Sequence, residues 1–261
     1  MQTALRIFLA FLLAHLLADF PLQSEAVATG KREGAKLSYA KHAAIHLLVL
    51  LLLLRLFTDV SLVASTTLLL IVAYLVVHIA IDASKTWLVR SCEVCDSTGL
   101  FLSDQAIHLA TILAITWAFA RFRWSDIEVA AKWTEARQLQ VLLVAVLYVV
   151  VIFGGGYLVR YLTRSLTLQL PRTEGDNPEE LRNAGLYIGW LERFLILTAV
   201  LVQSPALIGL ILTGKSIARL PELKGPRFAE YFLIGTFLSI GLALVGGIIL
   251  SRLMFGTSSF R

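Results

Sequence analysis

His15 and Asp19, His42 and His46, His78 and Asp82, and Asp104 and His108 are four residues apart within each pair. Together they use all five histidines of the 261-residue chain. Spacing of i,i+4 places both side chains on one face of a helix, one turn apart. Imidazole nitrogens and carboxylate oxygens are the donors that zinc, iron and manganese accept together. Random placement would give every histidine such a partner with a probability on the order of one in 10⁵. The pattern therefore points to metal binding, with one or two divalent ions held by His15, Asp19, His42, His46, His78, Asp82, Asp104 and His108. Asp19, Asp82 and Asp104 are the candidates for ligand or general base.

The elements that must position these residues are membrane helices. Hydrophobic residues make up 57% of the chain and charged residues 16%, against about 25% charged in soluble domains. Several apolar runs approach the ~20 residues that a helix needs to cross the hydrocarbon core. The first, Ala4 to Phe20, has only Arg6 before it and no clear cleavage site, and it carries one of the pairs. It reads as a retained span rather than a signal peptide. The expected fold is all-α, a polytopic membrane helix bundle of about eight transmembrane helices, with seven as the alternative. The segments run roughly 3–20, 38–57, 61–88, 103–121, 137–166, 178–203, 205–220 and 227–253. Ser103 and Asn177 read as N-caps, and Ser204-Pro205 as a cap and first-turn proline restarting a short seventh helix.

Loop charge favours eight spans. One side then receives fourteen Lys and Arg and the other eight, with Arg193 inside a span. Seven spans would erase most of that bias. The richer side is expected to be cytoplasmic, in a bacterial inner membrane, with both termini outside. Alternating helix direction brings His15/Asp19, His42/His46, His78/Asp82 and Asp104/His108 to one level near the cytoplasmic face. That convergence survives inversion of the whole topology. Ionisable groups at membrane depth cost about 2.5–3.5 kcal/mol each on insertion scales and commonly mark function.

The second half has no histidine. The expected organisation is a His/Asp-bearing four-helix domain over 1–121, an interfacial linker over 122–136, and C-terminal membrane helices over 137–261. Glu192 and Arg193 fall inside the sixth helix, Lys215 and Arg219 at the inner end of the seventh, and Glu230 opens the eighth. Internal salt bridging is one reading. A cationic headgroup or phosphate pocket formed by Lys85, Lys215, Arg219, Glu192 and Glu230 is the other. Gly154-Gly155-Gly156, Gly185, Gly189 and Gly246-Gly247 are read as permitting close helix approach. Cys92 and Cys95 form a single CxxC, half a zinc site or a thiol pair. No phosphate-loop or dinucleotide motif is present, and the basic balance needs no nucleic acid.

The strings HLLADFPLQ (15–23), KHAAIH (41–46), HIAIDASK (78–85) and SDQAIH (103–108) fall on all four pairs. Over about residues 5–120 they resemble an uncharacterised bacterial integral-membrane family, a domain of unknown function numbered 3307. The wider histidine-rich pattern is similar to membrane-bound metal-dependent hydrolases. That resemblance implies ligand status for the eight paired residues and a hydrolytic activity.

The functional expectation is a metal-dependent hydrolase in the membrane, acting on a lipid-borne or amphipathic phosphate or ester. A divalent-cation or proton transporter using the same layer is the alternative, and a structural or signalling protein with a metal-stabilised bundle is a third. A proton relay and bis-histidine haem are the competing uses of the histidines. Membrane lipid is the expected partner, and the sequence leaves the oligomeric state open. Topology is tested by reporter fusions at the two ends: eight spans place both outside. A cytoplasmic C-terminus with an external N-terminus contradicts that count.

Overall fold

The structure is a computed structural model, which describes residues 2–92, 96–122, 135–167 and 178–255. Every regular element among the described residues is helical. The chain divides into two compact units, Met1–Val146 and Leu147–Arg261. Most of the expected interfacial linker, 123–134, lies outside the described residues.

The first unit contains α1 (Gln2–Asp19), α2 (Glu25–Glu33), α3 (Lys36–Phe57), α4 (Ser65–Ser91) and α5 (Thr98–Phe122). Helix α1 is apolar around most of its circumference, with Arg6, His15 and Asp19 as its ionisable exceptions. Ile7, Leu9, Ala10, Phe11, Leu13, Ala14, Leu16 and Ala18 are all buried. It packs on α3 and α5, while α4 packs on α5 and α3. Outward from this centre, Leu48, Leu52, Leu69, Val76, Leu113 and Trp117 stand exposed. An apolar belt of this kind suits a bilayer and not water. Phe11 meets Tyr74 edge-on at 5.1 Å between ring centroids and Phe119 at 5.7 Å. Near the start of α1, buried Arg6 contacts Gln138 and pairs with Asp59 at 3.3 Å.

Two expectations about this unit need correction. The stretch after the first span is not simply a loop, because it contains α2. Ser24 caps its start by accepting from the Val27 N–H at 3.4 Å, and Gly34 ends it at φ 77°. A left-handed terminus of this kind favours glycine. Ser103 is not an N-cap: α5 already begins at Thr98, and the Ser97 hydroxyl accepts from the Leu100 N–H at 3.3 Å. Leu100-Phe101-Leu102 extend the apolar helix backward, with Phe101 buried. Asp104 therefore lies beyond the first turn, where the helix dipole no longer explains it.

The second unit follows within α6 (Glu135–Val149). That helix leads into a π turn (Val150–Gly154), α7 (Gly155–Leu162) and the short α8 (Arg164–Thr167). Then come α9 (Pro178–Leu201), α10 (Pro205–Ala218), a 3₁₀ turn (Glu222–Lys224) and α11 (Pro226–Phe255). The π turn has a cause in Arg193, which donates from Nε to the Ile152 carbonyl at 3.0 Å and from Nη1 to Ser239 Oγ at 2.8 Å. Pro205 does open α10, but the Ser204 hydroxyl makes no capping bond. Gln203 makes the turn at φ 54°. At 14 residues, α10 is about 21 Å long, short of a ~30 Å hydrocarbon core.

Among the described residues, five helices are long and apolar enough to cross a membrane: α3, α4, Thr98–Arg121 of α5, the run Ala136–Leu162, and α11. This is the pattern of a membrane protein. Close approach of α11 to the π turn depends on Gly246, and to α9 on Gly247: added Cβ atoms would lie 2.4 Å from Val151 Cγ2 and 2.8 Å from Val200 Cβ. Gly156 and Gly189 make room for Arg193, whereas at Gly155 an added Cβ would meet it at ordinary contact distance, and Gly185 faces open space and has no such role. Gly247→Ala should therefore destabilise the protein by about 1–3 kcal/mol through overpacking. Gly241→Ala, with nothing within 4 Å, should be neutral or stabilising by up to ~1 kcal/mol. Thermal unfolding in detergent reads both, and equal effects would contradict the packing argument.

Candidate metal centre

The polar layer of the first unit is assembled by direction. Helix α1 delivers His15 and Asp19 at its C-terminal end, and α3, running back, offers His42 and His46 near its start. Helix α4 carries His78 and Asp82 late in its length, and α5 carries Asp104 and His108 early. All five imidazoles, Asp82 and Asp104 are buried, and the Asp19 side chain is 11% exposed. The structure thus brings all four pairs into one cluster. Ring centroids of His46 and His78 are 3.9 Å apart, those of His42 and His46 4.5 Å, and those of His15 and His108 4.6 Å.

The tightest part of the cluster has four donor atoms. Asp19 Oδ1 lies 2.8 Å from His46 Nε2, 3.2 Å from His42 Nε2 and 3.5 Å from His78 Nε2. His42 Nε2 is 3.2 Å from His46 Nε2 and 3.3 Å from His78 Nε2. Ligand atoms of these four residues all lie within 4.8 Å of one another. Hydrogen bonds cannot fill every one of these contacts. Each Nε2 supplies at most one proton and an ionised carboxylate supplies none. Five contacts at hydrogen-bonding distance therefore have at most three protons among them.

Neighbouring groups orient these rings. The Tyr74 hydroxyl, itself buried, lies 3.5 Å from His46 Nδ1, and His78 Nδ1 lies 3.0 Å from His108 Nδ1. A partner on one ring nitrogen fixes the tautomer and turns the other nitrogen inward. Asp82 and Asp104 each have a cationic partner. Lys31 Nζ is 2.6 Å from Asp82 Oδ2 and 3.0 Å from Gln23 Oε1, and Lys85 Nζ is 2.7 Å from Asp104 Oδ2. Asp82 Oδ2 also lies 3.2 Å from His42 Nε2.

Lys31 and Gln23 are the members of the site that the sequence reading missed. Lys31 reads as an ordinary basic residue of a loop, yet α2 buries it against the layer. The available signal was a helix signature, with Ser24 as N-cap, Glu25 in the first turn, Lys31 and Arg32 in the last, and Gly34 after it. Of the expected substrate-binding residues, Lys85 lies in the first unit beside Asp104. In the second unit, Lys215 Nζ pairs with Glu192 Oε2 at 2.7 Å and Arg219 Nη1 with Glu222 Oε1 at 3.2 Å. Glu230 is exposed. Cys92 is disulfide-bonded, which leaves it no free thiolate for metal, and Cys95 lies outside the described residues.

A helical protein of membrane type, with a buried imidazole–carboxylate layer in its first unit, is the class that fold and site define. Residues 7–136 match the model of a family described as a protein of unknown function, DUF3307. That segment contains all four pairs as well as Gln23 and Lys31. No curated protein and no solved structure matches the chain.

The Lys31–Asp82 pair generates a stability test. Removing one partner of a buried ion pair costs about 3–5 kcal/mol, because the other charge is left uncompensated. Lys31→Ala should lower stability on that scale, and Lys31→Ala with Asp82→Ala should cost less than the sum of the single changes. Exposed Lys41 is the control, with an effect within about 0.5 kcal/mol on replacement by alanine. Equal melting temperatures for Lys31→Ala and Lys41→Ala would contradict the pairing.

Proposed function

We propose that the first unit holds a divalent metal ion, and that the protein is a metal-dependent hydrolase of the membrane. The observation that carries this reading is the cage of Asp19 Oδ1 and the Nε2 atoms of His42, His46 and His78, in which five of the six separations span 2.8–3.5 Å. A tetrahedron with its vertices about 2.0–2.1 Å from the centre, the range of zinc–nitrogen and zinc–oxygen bonds, has edges of about 3.3–3.4 Å. A cation at the centre also answers the proton deficit, since every donor then directs a lone pair at it. Zinc, iron and manganese accept three imidazoles with one carboxylate.

The hydrolytic reading rests on the groups around the cage. A bound ion lowers the pKa of its water towards neutrality. Asp82, against His42, is placed to receive a proton from such a water. Lys85, half-buried beside Asp104, supplies positive charge for a phosphate or ester substrate. Position matters as well: the layer sits at the ends of α1 and α3 rather than midway along them, which favours a substrate at the interface, lipid-borne or amphipathic. We place that interface on the cytoplasmic side of a bacterial inner membrane, with eight spans and both termini outside, from the loop-charge bias. The alternative is divalent-cation transport, favoured by one observation: carboxylates and imidazoles continue past the four-donor cage to Asp104, as successive binding steps would require.

Elemental analysis of detergent-purified protein tests the cage. Wild type should retain tightly bound metal, and His46→Ala and His78→Ala should each lose it. Lys215→Ala, outside this unit, should retain it. Full metal content in both histidine variants would overturn the reading. The two functional readings separate on metal-loaded protein. Hydrolysis of nitrophenyl phosphate or ester probes in mixed micelles, lost with Asp82→Asn, supports the enzyme, whereas metal uptake into proteoliposomes without hydrolysis supports the carrier.

A further inference from the structure

Beside the four-donor cage lies a second group of donors that the first ion would not satisfy. Asp19 turns Oδ1 into the cage and its other oxygen away from it, with Oδ2 3.5 Å from His15 Nδ1. Asp82 likewise directs Oδ2 towards His42 and Lys31, while Oδ1 lies 3.5 Å from His108 Nε2. His108 Nε2 is also 3.6 Å from Asp104 Oδ1. Ligand atoms of Asp19, Asp82 and His108 lie within 4.8 Å of one another, as do those of His15, His78 and His108.

What distinguishes this group is the absence of hydrogen bonds. His15 Nδ1, His15 Nε2, His108 Nε2 and Asp104 Oδ1 are buried without a hydrogen-bond partner among the described residues. His15 is 2% exposed, His108 1% and Asp104 4%. A buried unpaired polar atom costs about 1–3 kcal/mol, and four such atoms in one layer are a poor core. They suit a coordination shell, because one nitrogen of His15, the His108 Nε2 and the Asp104 oxygen each have a lone pair to give. Lys31 and Lys85 hold the outer oxygens of Asp82 and Asp104 and leave the inner ones available, as outer partners of metal-ligating carboxylates do.

We infer that the site is dinuclear, a deepening that rests on the metal reading above. The first ion sits among Asp19, His42, His46 and His78. The second sits among Asp19, Asp82, Asp104, His108 and His15, and the Asp19 carboxylate bridges the two, one oxygen to each. The proton balance is explicit. The 3.0 Å contact between His78 Nδ1 and His108 Nδ1 holds one proton. With both ions bound each ring gives a bare Nε2 and keeps its own proton on Nδ1, so no proton leaves and the two Nδ1–H groups must turn apart from this contact as the second position fills. Carboxylate-bridged ions in dinuclear hydrolases lie about 3.5–4 Å apart and together stabilise the attacking and leaving oxygens of a displacement. The substrate class indicated is a phosphoester.

Manganese titration of the full-length protein in detergent, followed by elemental analysis and electron paramagnetic resonance, tests this. Wild type should bind two ions per chain and show an exchange-coupled signal. His108→Ala and the near-isosteric Asp104→Asn should each fall to one ion per chain with an uncoupled six-line signal. His46→Ala should lose the first position. One ion per chain in wild type, unchanged in both His108→Ala and Asp104→Asn, overturns the second site and leaves the first intact. No bound ion in wild type instead removes the metal reading itself.

Discussion

A bundle surrounded by lipid has no water to satisfy its polar groups, so every ionisable side chain it carries must be answered from within. In the first unit this requirement falls on five imidazoles and three carboxylates at one level. Their mutual contacts dictate much else. Helices α1, α3, α4 and α5 must alternate in direction, α2 must fold back so that Lys31 reaches Asp82, and Lys85 must turn towards Asp104. Protein groups alone leave two contacts of the cage without a proton and leave His15 and His108 short of hydrogen-bond partners. In the proposed reading a cation would supply what is missing, because it would accept lone pairs from donors that cannot bond one another.

The second unit meets the same requirement without such a layer. Arg193 is buried in the bundle, and the π turn and α11 answer it: the Ile152 carbonyl accepts from Nε and Ser239 accepts a second bond. Glu192 and Lys215 neutralise each other. These contacts use the cationic groups internally, which gives structural roles to residues that otherwise suggest a headgroup pocket. The π turn, a feature often found where a helix is adapted to a local need, here has an identified partner.

Much of this was legible in the sequence, for local reasons. The i,i+4 spacing of His15/Asp19, His42/His46, His78/Asp82 and Asp104/His108 is a helix-face signal, and alternating direction converts four faces into one layer. Pro205 marked the start of α10, and Gly246-Gly247 marked a close helix contact. What escaped was either non-local or masked by composition. Lys31 and Asp82 are far apart in sequence, and α2 is too short and polar to register among apolar spans despite its caps at Ser24 and Gly34. Ser103-Asp104 imitates a helix start, although Ser97 holds that role. Arg193 was visible as a charge inside a span, but nothing local tied it to Ile152.

X-ray absorption at the edge of the bound metal tests the central claim most directly, since it reads the donors themselves. The cage predicts a nitrogen/oxygen shell at about 2.0–2.1 Å, with the outer-shell scattering of about three imidazoles and no sulfur contribution. A shell of water oxygens without imidazole scattering, or one containing thiolate sulfur, would contradict the assignment of Asp19, His42, His46 and His78 as the ligands.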